Sequence, residues 1–339
     1  MANTPPVDQP QPPVSPSRRS PIWLIITIII ITALLIVGFF LKRPTKPLKP
    51  ADGSNELPSG PVSSRRDANG PYSHQIYSAT STDSLTWTTN DTLLFDHASV
   101  PGAARFNDKV YLYFVDASNE QDQLSVAIST DDGLTFGDPQ QVKIEGVQPY
   151  DAVDPSPEVV DGQLYLYYLG DFMSNKEPSQ KFKFYSAVST DGVNFTDPVL
   201  AYSFDEMTTD PDVYPVDAGW QMFASQGRDM VLLTSTDGRS FTPVDDFSWS
   251  LGAVSDTAII NGTYRTFYCG EGIQSATGAN TGTLKAESGV RVLAPEKITC
   301  DPSLITQADG SYRLFYKTQA APSMAQPGPG NQPSPQTQP

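Results

Sequence analysis

The sequence is poor in the residues that build metal centres and covalent frameworks: of 339 residues, two are cysteine and two are histidine. Two cysteines define no disulfide framework, and a structural zinc site needs more ligands at closer spacing. Basic residues are scarce as well, with 22 Lys and Arg against 38 Asp and Glu, and eight of the 22 lie in residues 1–66 with only three of the acids. The rest of the chain therefore holds 14 bases against 35 acids, a net charge of −21. Such a domain repels nucleic acid and anionic lipid, so no nucleic-acid partner is expected. A merely soluble acidic surface accounts for most of the charge.

Long apolar runs are missing too, with one exception. Ile22 to Leu41 reads IWLIITIIIITALLIVGFFL without a charge, about the 20 residues a helix needs to cross the hydrocarbon core. A cleavable signal peptide has a shorter apolar stretch followed by small residues, whereas Phe39, Phe40, Leu41 and Lys42 close this one. We expect an uncleaved transmembrane signal-anchor over residues 21–42, preceded by a disordered tail over 1–20. A Pro/Ser-rich stalk over 43–70 then leads to a folded domain over 71–318, and a disordered Pro/Gln-rich tail occupies 319–339. Lys42, Arg43, Lys46 and Lys49 follow the helix, so a literal positive-inside count places the domain in the cytoplasm. The stalk and the common export of β domains behind such anchors favour the opposite side, and we expect a single-pass protein with its domain outside the cytoplasm.

What is abundant is repetition. STDSLTW at Ser81, STDDGLTF at Ser129, STDGVNF at Ser189 and STDGRSF at Ser235 recur at intervals of 48, 60 and 46 residues, and a weaker relative, AESGVRV, begins at Ala286. That is the size of a four-stranded propeller blade. Between these strings lie hairpin patterns: AVDPSPEVVDGQLYLYY from Ala152, TTDPDVYPVDAGWQMF from Thr208, AVSDTAIINGTYRTFY from Ala253 and TCDPSLITQADGSYRLFY from Thr299, with ASVPGAARFNDKVYLYF from Ala98 as a variant. Each reads as a strand, a tight turn and an aromatic strand. The last hairpin lacks outer strands and the first string lacks a preceding hairpin. Tyr72 to Phe95 should therefore complete the C-terminal blade, closing a five-bladed, all-β propeller without loose edges. A two-sheet sandwich is the alternative for short strands with regular turns.

On these motifs the chain resembles two groups. The S-T-D-G-x-x-F strings resemble degenerate Asp-boxes of sialidases, which are structural turns. The D-P-S hairpins resemble the five-bladed glycosidases of glycoside hydrolase families 43, 32 and 130. That resemblance implies a funnel at the propeller axis, lined by an acid near the start of each innermost strand. Carried onto this chain, the positions are Asp154, Asp210, Asp256 and Asp301, with Val100 in the variant blade. It further implies Asp301 as general base, Asp154 as pKa tuner and Asp210 as general acid across the glycosidic bond. The group's usual acid is Glu, and Asp is shorter by one methylene, which matters where about 1 Å of misplacement can cost roughly a hundredfold in rate. Glu271, in YCGEG, is a substitute acid or a solvated loop residue.

Four acids about one axis would raise one another's pKa and favour a shared proton or a bound cation such as Ca²⁺. His97 is a candidate ligand for a cation or a sugar hydroxyl, though a lone histidine is commonly part of a loop. Tyr150, Trp220 and Tyr268 are candidates for stacking on sugar rings, against the reading that such aromatics fill the core between blades. Asp before Pro also caps turns, so the D-P pairs have a structural reading as well. Two functions remain: a surface-anchored glycan-binding propeller, with glycosidase activity as its variant, and a non-catalytic envelope scaffold. No feature specifies a particular sugar or an oligomeric state.

The two cysteines bear on the same geometry. Cys269 ends the second strand of one hairpin and Cys300 precedes the first strand of the next, so both should reach the same face of adjacent blades. A disulfide would close a loop of about 30 residues and would agree with an oxidising location. Two small buried thiols are the alternative.

Overall fold

The structure, a computed structural model, describes residues 69–119, 121–171, 181–295 and 297–320. The expected anchor, the N-terminal tail, nearly all of the stalk and the residues after Ala320 lie outside that set. Among the described residues no helix is long and apolar enough to cross a membrane.

The chain opens with β1 (His74–Ser81) and β2 (Thr88–Asp96), which pair with each other and return to the far end of the sequence. The first blade is β3 (Ala98–Phe106), β4 (Lys109–Asp116), β5 (Gln123–Ser129) and β6 (Gln140–Gln141). The second takes β7 (Lys143–Ile144), β8 (Ala152–Val160), β9 (Gln163–Gly170), β10 (Phe182–Ser189) and β11 (Asn194–Phe204), in the order β7-β11-β10-β9-β8. Its extra strand β7 pairs in parallel with the outer strand β11, so the connection from the first blade stitches the two rims together. The third blade is β12 (Thr209–Val216), β13 (Gly219–Gln226), β14 (Asp229–Ser235) and β15 (Thr242–Pro243). The fourth is β16 (Ala253–Ile260), β17 (Thr263–Gly270), β18 (Gly272–Gly278) and β19 (Lys285–Ala286). The fifth combines β20 (Lys297–Thr306) and β21 (Tyr312–Ala320) with the N-terminal pair, in the order β2-β1-β21-β20.

Five separate sheets exclude the sandwich. The expected closure is present: β1 runs antiparallel along β21 from Ser81 opposite Tyr312 to His74 opposite Gln319. Aromatic second strands fill the seams between blades, as where Tyr113, Leu166 and Phe195 pack with Leu124 and Val126.

The S-T-D strings form turns on the rim. Ser129 Oγ accepts from Gly133 N at 2.9 Å and Asp131 Oδ1 accepts from Thr135 N at 2.9 Å. Bonds from the Thr135 and Ser129 side chains and the Thr135 amide hold the Asp131 carboxyl down to about 2. The same pattern recurs at Ser81/Asp83, Ser189/Asp191 and Ser235/Asp237. Neighbouring blades grip these turns: Tyr113 Oη donates to Gly192 O and Tyr167 Oη to Gly238 O, both at 2.7 Å. Gly192, at φ 78°, has the Tyr111 ring where a Cβ would stand, 2.4 Å from its Cε1. The relative at Ala286 is different, because Glu287 pairs with Arg265 at 2.9 Å instead of folding back on its own turn.

Candidate functional site

All five innermost strands break at one place. Their ladders shift between Ser99 and Gly102, Val153 and Ser156, Thr209 and Asp212, Ala253 and Ser255, and Cys300 and Ser303. In each shift one residue takes a left-handed backbone: Val100 (φ 51°), Asp154 (52°), Asp210 (51°), Val254 (55°) and Asp301 (51°). Such β-bulges re-aim side chains and are frequent beside functional sites. Asp tolerates this conformation, whereas a β-branched Val is an outlier. Strain of about 1–3 kcal/mol per residue persists only where the surroundings enforce it.

This register corrects the expected ring. In the fourth blade the equivalent residue is Val254, and Asp256 stands two positions farther along. The upper ring of the funnel thus holds three carboxylates and two valines. Asp256 belongs to a second ring with Gly102, Ser156, Asp212 and Ser303, whose side chains accept backbone N–H groups from the neighbouring blade. Ser156 Oγ accepts from Val213 N at 3.1 Å, Asp212 Oδ1 from Thr257 N at 3.0 Å, Asp256 Oδ2 from Leu304 N at 3.0 Å, and Ser303 Oγ from Ala103 N at 2.9 Å. At the fifth seam both partners are missing together. Gly102 has no acceptor and Pro157, opposite it, has no N–H, so no buried group is left unpaired. A Cβ on Gly102 would stand 2.2 Å from Pro155 O, and the closer approach of these two strands replaces the bond.

The rings enclose an axial cavity of about 260 Å³, lined by Asp154, Asp210, Asp301, Glu158, Asp212 and Asp256 among others. In the upper ring Asp154 Oδ2 accepts from Asp210 N at 3.3 Å, and Thr209 Oγ1 donates to Asp210 Oδ2 at 2.5 Å. Asp301 is ion-paired with Lys317 at 2.7 Å, its side chain 4% and that of Lys317 15% exposed. Burial, then Asp210, pushes Asp154 well above the usual carboxylate range. Burial and Asp301 push Asp210 up to about 6. Deeper down, burial raises Asp256 and Glu158, with Asp212 adding to both. For Lys317 burial works against the charge, but Asp301, Asp210 and Asp154 outweigh it and raise the ammonium pKa.

Lys317 is the main residue that motif reading missed. Its signal is a second base, after Arg313, at the end of the aromatic strand YRLFYK. His74, at the start of β1, is the other. It is buried, its Nδ1 lies 2.8 Å from Ser99 Oγ, and burial, followed by the charge of Lys317, lowers its pKa.

The remaining candidates lie elsewhere. Trp220 is buried in a seam against Tyr165 and Tyr167, and Tyr268 meets Trp249 edge-on, so neither lines the axial cavity. His97 stacks on Tyr72 with centroids 3.8 Å apart and bonds Tyr72 O through Nδ1 at 2.5 Å. Tyr150 sits in the turn before β8, outside the cavity lining. Glu271 is exposed between β17 and β18, beside a separate cleft that also holds Arg228 and Gln274. Among the described residues the one grouping of three potential metal ligands within 4.8 Å is Cys269, Cys300 and Asp301. Its sulfurs are bonded to each other, with Cα atoms 5.1 Å apart, and hold no thiolate for a metal. The bridge ties β17 to β20 immediately before Asp301, whose N–H donates to Cys269 Sγ at 3.1 Å. The ammonium of Lys317 places one positive charge against Asp301 in the upper ring.

No family model and no curated protein matches this sequence. Among solved structures, a thermostable family-43 glycoside hydrolase superposes with a TM-score of 0.52 at 14% identity, covering 70% of this chain and 95% of that one. The fold is that of the five-bladed glycosidase propellers. A family 43 enzyme from Xanthomonas citri, complexed with xylotriose, is also similar, with a TM-score of 0.48 at 17% identity over 66% of this chain and 87% of that one. The catalytic domain of the Coprinopsis cinerea family 62 α-L-arabinofuranosidase gives 0.49 at 12%, over 66% and 90%. At these identities the likeness concerns the fold.

Proposed function

We propose that this chain is a membrane-anchored, extracytoplasmic propeller that binds neutral glycans in its axial funnel without hydrolysing them. The observation that carries the reading is the pairing of the upper carboxylates. Inverting hydrolysis needs one free carboxylate to activate water and one protonated acid reaching the leaving group. Here Asp301 is tied to Lys317, while Asp154 accepts from the backbone of Asp210. Carboxylates lining one narrow funnel, with an ammonium paired to Asp301 beside it, suit sugar hydroxyls, since each hydroxyl both donates and accepts. Excess negative charge disfavours acidic sugars. Asp210, poised at about 6, favours a second reading as a slow glycosidase with Asp210 as acid.

The test is binding of the full-length protein in detergent to a neutral glycan array, alongside chromogenic glycosides. Retention lost in Lys317→Met and Asp154→Asn, without glycoside cleavage, supports the proposal. Cleavage abolished by Asp301→Asn establishes the second reading, and absence of any glycan binding points to a scaffold.

A further inference from the structure

A second cavity, of about 230 Å³, opens in the seam between the fourth and fifth blades, away from the axis. The seam is well packed lower down, where Phe267, Ile273 and Val292 meet Ala79 and Leu314. Above them the packing stops at Tyr77 and Tyr316, stacked with centroids 6.3 Å apart and planes inclined by 24°. Thr318 also lines the cavity. It is 1% exposed, and its hydroxyl has no hydrogen-bond partner. A buried hydroxyl left unpaired is destabilising, and a bound group of the right chemistry would offset that cost.

Around these residues the cavity has a mixed rim. Lys297 reaches over the Tyr77 ring, 5.2 Å from its centroid, and donates to Gln75 Oε1 at 3.1 Å. Asp91 lies on the β2 side and Leu293 opposite. Burial, with Tyr77 and Asp91 adding to it, raises the Tyr316 phenol to about 12, so it stays a neutral donor. One acid and one base leave the lining without net charge, which disfavours an ionic ligand. A saturated ring bearing hydroxyls answers every feature: an apolar face for Tyr77 and Leu293, an acceptor for Lys297, a donor for Asp91, and a partner for Thr318.

We propose that this seam cavity is an accessory site for one neutral sugar residue, separate from the funnel. It rests on the reading above only for the class of ligand. The test is saturation-transfer NMR on the full-length protein in detergent, with xylotriose, cellotriose and maltotriose as probes, in an Asp301→Asn background that weakens the funnel. Thr318→Val is nearly isosteric and removes the orphan hydroxyl, so its unchanged or raised melting temperature certifies the fold. Residual binding of at least one trisaccharide should weaken about fivefold in Thr318→Val, as loss of one neutral hydrogen bond implies, and more in Tyr77→Ala. Residual binding untouched by both substitutions, or no residual binding of any probe, overturns the proposal. Equal binding by wild type and Asp301→Asn, with Thr318 dependence, would instead overturn the funnel and leave this site standing.

Discussion

Replacing Asp210 by Asn should make the protein more stable at neutral pH and leave it unchanged in acid. Asp210 has a folded-state pKa of about 6 against an ordinary 3.8, through burial first and Asp301 second. A carboxyl whose pKa rises on folding favours the native state most when it is protonated in both states. The penalty therefore appears as pH climbs above the unfolded value, grows up to about 6, and is constant beyond. Roughly two units at 1.36 kcal/mol each set its scale at roughly 3 kcal/mol. Asn keeps the shape and the acceptor that meets Thr209 Oγ1, so most of that penalty should return as stability. For a domain of this size, roughly 1–3 kcal/mol corresponds to a rise on the order of 5 °C in Tm. Thermal unfolding of wild type and Asp210→Asn at about pH 4 and about pH 7.5 measures it. An offset equal at both pH values, or a loss of stability at the higher one, refutes the electrostatic account and makes Asp210 an ordinary turn cap.

Three further outcomes follow from particular contacts. Protein unfolded without reductant should titrate no thiols at Cys269 and Cys300, and the double serine variant should lose about 3–4 kcal/mol by chain entropy over the bridged separation of 31 residues. Gly102→Ala should cost at least about 1–3 kcal/mol of stability, read as a lower urea midpoint at unchanged m-value, because its Cβ would meet Pro155 O at 2.2 Å and Pro157 Cδ at 2.8 Å. For the proposed topology, protease added to intact cells should remove the propeller; full protection would uphold the positive-inside count instead.

The blade count was legible because the rim turns use a four-residue chemistry that survives divergence: a Ser oxygen and an Asp carboxylate that bond the next amides. Closure was legible because an unfinished hairpin at one end and an unpartnered turn at the other sum to one blade. The same up-and-down geometry placed the two cysteines on one face of adjacent blades and left a bridge and two thiols both open; the structure has the bridge. The anchor was read from composition alone and lies outside the described residues.

The site was less legible because the hairpins were aligned on their acids, whereas the fold aligns them on a backbone bulge. In the fourth blade the motif S-D-T mimics the D-P of its neighbours, two residues out of phase, and nothing in a side-chain pattern reports φ. What distinguishes Asp256 from Asp154 is the bulge: Asp154 is itself the left-handed residue, whereas Asp256 stands two positions beyond it, at the level where Ser156, Asp212 and Ser303 accept an amide from the next blade. An acid interchangeable with serine in a repeat is a hydrogen-bond acceptor. An acid whose equivalents are aspartate or valine is not required for that bond, since valine holds the same place without an acceptor, although Asp154 does accept the Asp210 N–H at 3.3 Å. The seam from Gly102 to Pro157 sharpens the distinction, since acceptor and donor disappear from it together while the bulge at Val100 is retained. Retaining a strained backbone at a position that has lost its carboxylate shows that the bulge belongs to the architecture. The proposed glycan site rests on the three acids the bulge carries at Asp154, Asp210 and Asp301, the last of them paired with Lys317.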